Sequence, residues 1–186
     1  MIYSWKKIVR HGLPLLTICI FIEIFAGQVL QWNQEKIVAL FPIFLVSIPV
    51  INGVGGNIGS VLGARLASGL HVGYIGLSLK DKGMHDNLVT SVLVGFVSYL
   101  FLAILIYFIA SFGGLQKGIN LMSFVTVVLG TGVLLVFIVS LISVVTAFWS
   151  FKKGLDPDDM VAPVVTTMGD VLGILFLFVF IGVVGI

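Results

Sequence analysis

The chain has 186 residues, 59% of them hydrophobic and only 10% charged, with a mean hydropathy of +1.22. Soluble domains carry about 25% charged residues, so a soluble fold is excluded and an all-α integral membrane protein is expected. The net charge of +2 says little about partners. Cys19, alone in an apolar run, excludes a disulfide framework and a thiolate metal site.

Residues 1–11 combine Trp5, Ile8 and Val9 with Lys6, Lys7 and Arg10, the pattern of a short interfacial helix. The basic start and the apolar run after it mimic a signal peptide. Glu23 interrupts that run and no clear small-residue cleavage site follows, so the segment reads as a first span at about 12–31. Pro14 is tolerated in its first turn. Residues 31–36 read as a short polar loop. A second span, about 37–67, exceeds the ~20 residues needed to cross a bilayer. Pro42, Pro49 and the run Asn52-Gly53-Val54-Gly55-Gly56-Asn57-Ile58-Gly59 predict a kink or local unwinding there. Unwound backbone at membrane depth needs burial in protein or a cavity to line. Gly55, Gly59, Gly63 and Ala67 recur every four residues, a signature of close helix packing that is compatible with lining a path.

Residues 65–87 read as a connection with an amphipathic or re-entrant middle at Gly69, Gly73 and Gly76. A third span falls at about 88–112 and a fourth at about 121–149. A charged loop then leads to a fifth span at about 161–186. The chain is expected to be one domain, 1–186, without an internal repeat. Five spans put the termini on opposite sides. With the N-terminus cytoplasmic, Lys6, Lys7, Arg10, Arg65, Lys80, Lys82, Lys152 and Lys153 lie inside and only Lys36 and Lys117 outside. Tyr3, Trp5, Trp32, Tyr107 and Trp149 fall near span ends, as an interfacial belt requires.

The acidic residues carry the functional signal. Glu23 and Asp170 alone fall at membrane depth, where an ionised carboxylate costs about 2.5–3.5 kcal/mol even on lenient scales. No Lys or Arg lies at comparable depth. The explanations left are a cation, a proton, or a neutral carboxyl hydrogen-bonded to Ser, Thr or backbone. Asp170 is assigned to a cation; Glu23 stays open between a ligand and a protonated carboxyl. Asp170 lies about 10 Å in from Pro163, and Asn57 about 15 Å in from Ala67. Both ends are cytoplasmic in this topology, so the two residues are expected to share a layer. A carboxylate, an amide oxygen and freed carbonyls are hard ligands, suited to Mg²⁺, Ca²⁺ or Mn²⁺. Mg²⁺ keeps much of its water, so one carboxylate per chain suffices where a two-fold axis supplies another.

Asp156, Asp158 and Asp159 open the fifth span around Pro157. They read as an N-cap with acids complementing the helix dipole, and as an acidic vestibule weakened by Lys152 and Lys153. His11, His71 and His85 read as solvated loop residues. No nucleophile–base pair, phosphate loop or nucleic-acid patch is present, and no enzyme activity is expected.

Pro49 with Gly55-Gly56-Asn57-Ile58-Gly59, then Asp156-Pro157, then Pro163-x-x-Thr166-Thr167-x-x-Asp170 resemble the transmembrane domain of MgtE-type magnesium transporters. The Asn57-to-Arg65 spacing and the Asp-Pro-Asp start are similar to the related solute-carrier magnesium transporters of animals. The resemblance covers essentially the whole chain. It implies a homodimer in a membrane, with a Mg²⁺ path on the two-fold axis built from spans two and five. It also implies that Asp170 holds a hydrated ion, that Asn57 and the adjacent Gly56 carbonyl line the path, and that Thr166 and Thr167 sit on its wall. Asn52 is a secondary candidate, as are Glu23 and the vestibule acids. Val61 stands where the bacterial pattern often has Gln. Only residues 1–11 precede the first span, so gating by the bacterial cytoplasmic domains is not expected.

The reading is therefore a dimeric Mg²⁺ channel or transporter of the plasma membrane. The alternative is a carrier coupled to Na⁺ or H⁺ through Glu23. A metal-dependent lipid enzyme would have only Asp156, Asp158 and Asp159 to work with, and a structural subunit would have no path of its own.

Overall fold

The computed structural model describes residues 5–40, 42–78, 80–116 and 118–186, and the side chains of all of these except 5, 7, 8 and 33–40. The regular structure in these residues is helical throughout: α1 (Trp5–Leu40), α2 (Pro42–Val72), α3 (Lys82–Phe112), α4 (Leu121–Lys152) and α5 (Pro157–Val184). Each contains a stretch long and apolar enough to span a membrane. Tyr3, Lys117 and the side chains of Trp5, Glu35 and Lys36 lie outside the described residues.

The helix ends follow local chemistry and correct several expectations. The polar loop at 31–36 is absent, because α1 continues to Leu40. Gln, Glu and Lys are good helix formers and nothing in that stretch breaks a helix. Helix α2 is described from Pro42, whose fixed φ suits a first helical turn. The expected unwinding of the second span is also absent: α2 is continuous α-helix through Pro49 and the glycine run. Each unpaired backbone group in lipid costs several kcal/mol, which outweighs the ~1 kcal/mol that glycine loses to alanine in a helix.

The helix then runs on through residues 65–72, expected to be a connection, and stops at Gly73. There φ is 83°, and the N–H groups of Gly73, Tyr74 and Ile75 all reach the Gly69 carbonyl at 3.0–3.1 Å. His71 is thus not in a loop. It sits in the last turn of α2, with its ring edge-on to Phe151 at 5.4 Å between centroids. Among the described residues no re-entrant piece follows, and α3 begins at Lys82 with Asp81 as its cap. The Asp81 carboxylate accepts from Met84 N at 3.0 Å and Gly76 N at 3.1 Å. Those two bonds hold its carboxyl below the ordinary aspartate value. The fifth helix starts as expected: Asp156 accepts from Asp158 N at 3.1 Å, with Pro157 in the first turn.

Three helices form the core. On α2, Gly55 faces Leu135, Gly59 faces Val139 and Gly63 faces Ser143 of α4, so α2 and α4 run parallel. Gly56 meets Thr166, Gly59 meets Val165 and Gly63 meets Val161, so α2 and α5 run antiparallel. The four-residue stripe is thus a packing surface: a methyl at Gly59 or Gly63 would overlap valine side chains. Ser143 Oγ donates to the Gly59 carbonyl at 3.0 Å across this seam.

Helix α3 covers α4, with the Tyr99 ring lying on Gly132 and the Tyr99 hydroxyl donating to Ile51 O of α2 at 2.6 Å. Helix α1 lies parallel to α5. Cys19 Sγ points to Pro163 O at 3.7 Å, and one turn on Thr167 Oγ1 donates to Glu23 Oε1 at 2.9 Å. The opposite face of α1 is open, exposing Leu13, Leu16, Phe21, Ile24 and Phe25.

Candidate cation site

Asp170 sits midway along α5, about 20 Å from the Pro157 end. Its position follows from helix periodicity. The α2 contacts of α5 fall on Val161, Val165, Thr166, Gly169 and Gly173. The α1 contacts fall on Pro163 and Thr167. Asp170 lies between these two lines and faces the groove between α1 and α2, half-buried. Thr166, one turn earlier, shares this face and is exposed. Its hydroxyl hydrogen is directed back at Ala162 O (2.9 Å) and Pro163 O (3.1 Å), which leaves oxygen lone pairs toward the groove.

One wall of the groove is polar because of α2. Asn52, 6% exposed, donates from Nδ2 to the Asp170 carbonyl at 3.2 Å. The same amide faces the Asp170 carboxylate. Gly56, one turn along, brings the α2 backbone against Thr166: a Cβ there would stand 3.3 Å from Thr166 Cα. The Gly56 carbonyl is not released by unwinding. It accepts from Ser60 Oγ at 2.8 Å inside an intact helix. The other wall is α1, where Glu23 is exposed and anchored by the buried Thr167 hydroxyl. Its charge is within electrostatic range of Asp170. Two carboxylates held close in a weakly polar groove repel, and a doubly positive guest relieves that repulsion.

The structure thus brings Asp170, Asn52, Gly56, Thr166, Thr167 and Glu23 together. It places Asn57 elsewhere. Asn57 lies about 140° around α2 from Asn52. It is exposed, beside a cleft of about 160 Å³ lined by Ile58, Val61, Arg65, Ser91 and Val94. Asp156, Asp158 and Asp159 stay at the α5 N-terminus, about 20 Å from Asp170, with His71 nearby. Among the described residues no three His, Cys, Asp or Glu side chains converge. The donor set is oxygen-rich but sparse, which suits an ion that retains its water rather than one stripped by a protein cage.

Sequence reasoning ranked Asn52 below Asn57 and passed over Gly173, whose Cα carries the Asn52 amide oxygen against it. The available signal was an amide in an apolar span together with the Asp170-x-x-Gly173 spacing.

The fold and site define a class: an all-helical membrane bundle with two carboxylates and a buried amide at mid-helix depth. Residues 48–180 match the family model MgtE, described as a divalent cation transporter. The chain belongs to the MgtE family. Mouse solute carrier family 41 member 3 is 27% identical over 180 residues, an alignment covering 90% of this chain and 36% of that relative. The chain therefore spans little more than a third of that relative's length. No solved structure matches.

Proposed function

We propose that this member of a divalent cation transporter family carries Mg²⁺. The ion would follow a path on the two-fold axis of a homodimer lined by α2 and α5. The observation that carries this reading is Asp170: a carboxylate at mid-helix whose charged neighbour is another carboxylate and whose polar neighbour is an amide. Such a group is stable at depth when a cation visits it. Thr166 would face the ion's water shell, as oxygen-lined filters do. The face of α2 bearing Val46, Val50, Gly53, Asn57 and Val61 is exposed in a single chain. A second copy against it would bring Asn57 and the Gly56–Asn57 backbone to the axis. The acids at 156, 158 and 159 would then concentrate cations at the cytoplasmic mouth, with the protein in the plasma membrane, its N-terminus inside and its C-terminus outside.

The test is Mg²⁺ flux in liposomes containing only this protein, with Co²⁺ and Ca²⁺ as competitors. Asp170→Ala should abolish flux while insertion is unchanged. Normal uptake by that variant would remove Asp170 from the path.

A second reading is favoured by the bond from Thr167 to Glu23. Glu23 would be the coupling carboxylate of a Na⁺- or H⁺-driven carrier. Flux that is independent of imposed Na⁺ and pH gradients counts against coupling; flux that follows one of them supports it.

A further inference from the structure

Asn52 is an odd residue for its place. It is 6% exposed in a helix packed mostly through glycines and aliphatic side chains. Its Nδ2 is engaged with α5, yet its Oδ1 is buried without a hydrogen-bond partner. A buried unpaired acceptor costs about 1–3 kcal/mol, and an aliphatic side chain would avoid that cost. Packing alone therefore does not account for an amide here.

What the amide does is local to Asp170. The carbonyl it binds is the Asp170 carbonyl, which as part of an α-helix also accepts from Ile174 four residues on. A second donor on that oxygen pins the turn that carries the carboxylate. The amide reaches it only because Gly173 has no side chain, since a Cβ at 173 would overlap Asn52 Oδ1. From the opposite side, Tyr99 donates to Ile51 O at 2.6 Å and fixes the α2 turn immediately before Asn52. The amide is held from behind and seated in front.

We infer that Asn52 is the positioning residue for Asp170, with Gly173 as its seat. The amide fixes the direction in which the carboxylate enters the α1–α2 groove and so sets the affinity for the transported cation. This rests on the reading of Asp170 as the ion-binding group.

The experiment is the Mg²⁺ dependence of initial flux in liposomes, for the parent and for Asn52→Leu, Gly173→Ala and Asn52→Ala/Gly173→Ala. Leucine fills the site without the hydrogen bond. It should raise the half-saturating Mg²⁺ concentration about tenfold, the scale of one lost hydrogen bond to this group, with the maximal rate and the inserted amount within about twofold of the parent. Gly173→Ala should do the same by pushing the amide away. It should add nothing in the Asn52→Ala background, where its clash partner is gone. If Asn52→Leu does not insert, Gly173→Ala alone and in that double variant decides the matter.

Unchanged half-saturation with less folded protein would overturn the proposal, and so would independent, multiplying effects in the double variant. Asp170→Ala in the same assay separates the two layers of the argument. Normal flux there sinks the ion-binding reading itself. Abolished flux, with Asn52→Leu and Gly173→Ala saturating like the parent, sinks only the positioning role.

Discussion

The contact between Tyr99 and Gly132 gives the clearest energetic test of the bundle. The Tyr99 side chain is fully buried, its ring lies on the α4 backbone at Gly132, and its hydroxyl ties α3 to α2 at Ile51. Tyr99→Phe removes only the hydrogen bond. Such bonds inside membrane proteins average about 0.6 kcal/mol and reach about 1.7 kcal/mol, so that substitution should cost about 0.5–1.5 kcal/mol. Gly132→Ala is harsher. Its methyl would occupy the space of the ring carbons, and overpacking of this kind costs about 1–3 kcal/mol. The ring cannot tip aside without withdrawing the hydroxyl from Ile51, so the hydrogen bond is lost as well. The sum is about 2–4 kcal/mol.

In a Tyr99→Ala background the same methyl enters a cavity instead of a ring, and its effect should vanish or turn favourable. Reversible unfolding in mixed SDS and mild detergent, followed by circular dichroism, measures all five proteins, the parent included. Gly132→Ala within 0.5 kcal/mol of the parent, or an equal penalty with and without the ring, would refute the packing described.

Two smaller predictions accompany it. Asp81 has a folded-state value below that of unfolded aspartate, about 3.9. Its contribution to the connection between α2 and α3 is therefore complete above that unfolded value and is lost as pH falls through the lower folded one. Hydrogen-exchange protection of the Gly76 and Met84 amides should be flat from pH 5 to 7 and fall at acid pH below the unfolded value of about 3.9; protection unchanged in Asp81→Ala would contradict the cap. Thr167→Val keeps the shape of the buried side chain but removes the donor to Glu23. Mg²⁺ flux should fall about two- to tenfold at unchanged insertion, the scale of one ordinary hydrogen bond; unaltered flux and gradient dependence would detach Glu23 from the cycle.

Much of the fold is legible in the sequence because hydrophobic length is a blunt signal. The five spans, the Asp156–Pro157 start and the glycine packing stripe follow from residue type alone. The readings of α2 that failed did so for one reason. Local propensity was weighed as it acts in water, whereas in lipid an opened helix has no solvent to satisfy it. That is why the glycine run from Gly53 to Gly59 stays helical and why α2 continues to Val72. The site was half legible. Asp170 stands out because a charge at depth needs an explanation. Depth along the helix puts Asn57 near the layer of Asp170, but the face it takes depends on the rotation of α2, set by which glycines meet Leu135, Val139 and Val161, and those are three-dimensional facts. The same rotation turns Asn52 onto α5.

The bare side of α2 has a consequence for how this chain can vary. Along Gly55, Gly59 and Gly63 the neighbours contribute the side-chain atoms at the seam, while α2 contributes none. Loss and gain of bulk are therefore unequal events. Shortening Val139 or Val161 opens a small void that the bundle can partly close. Lengthening Gly59 or Gly63 by one carbon leaves nowhere to retreat without parting two helices at once. Sequence drift along this groove is channelled in one direction, toward trimming the partners and away from decorating the rail on which they rest.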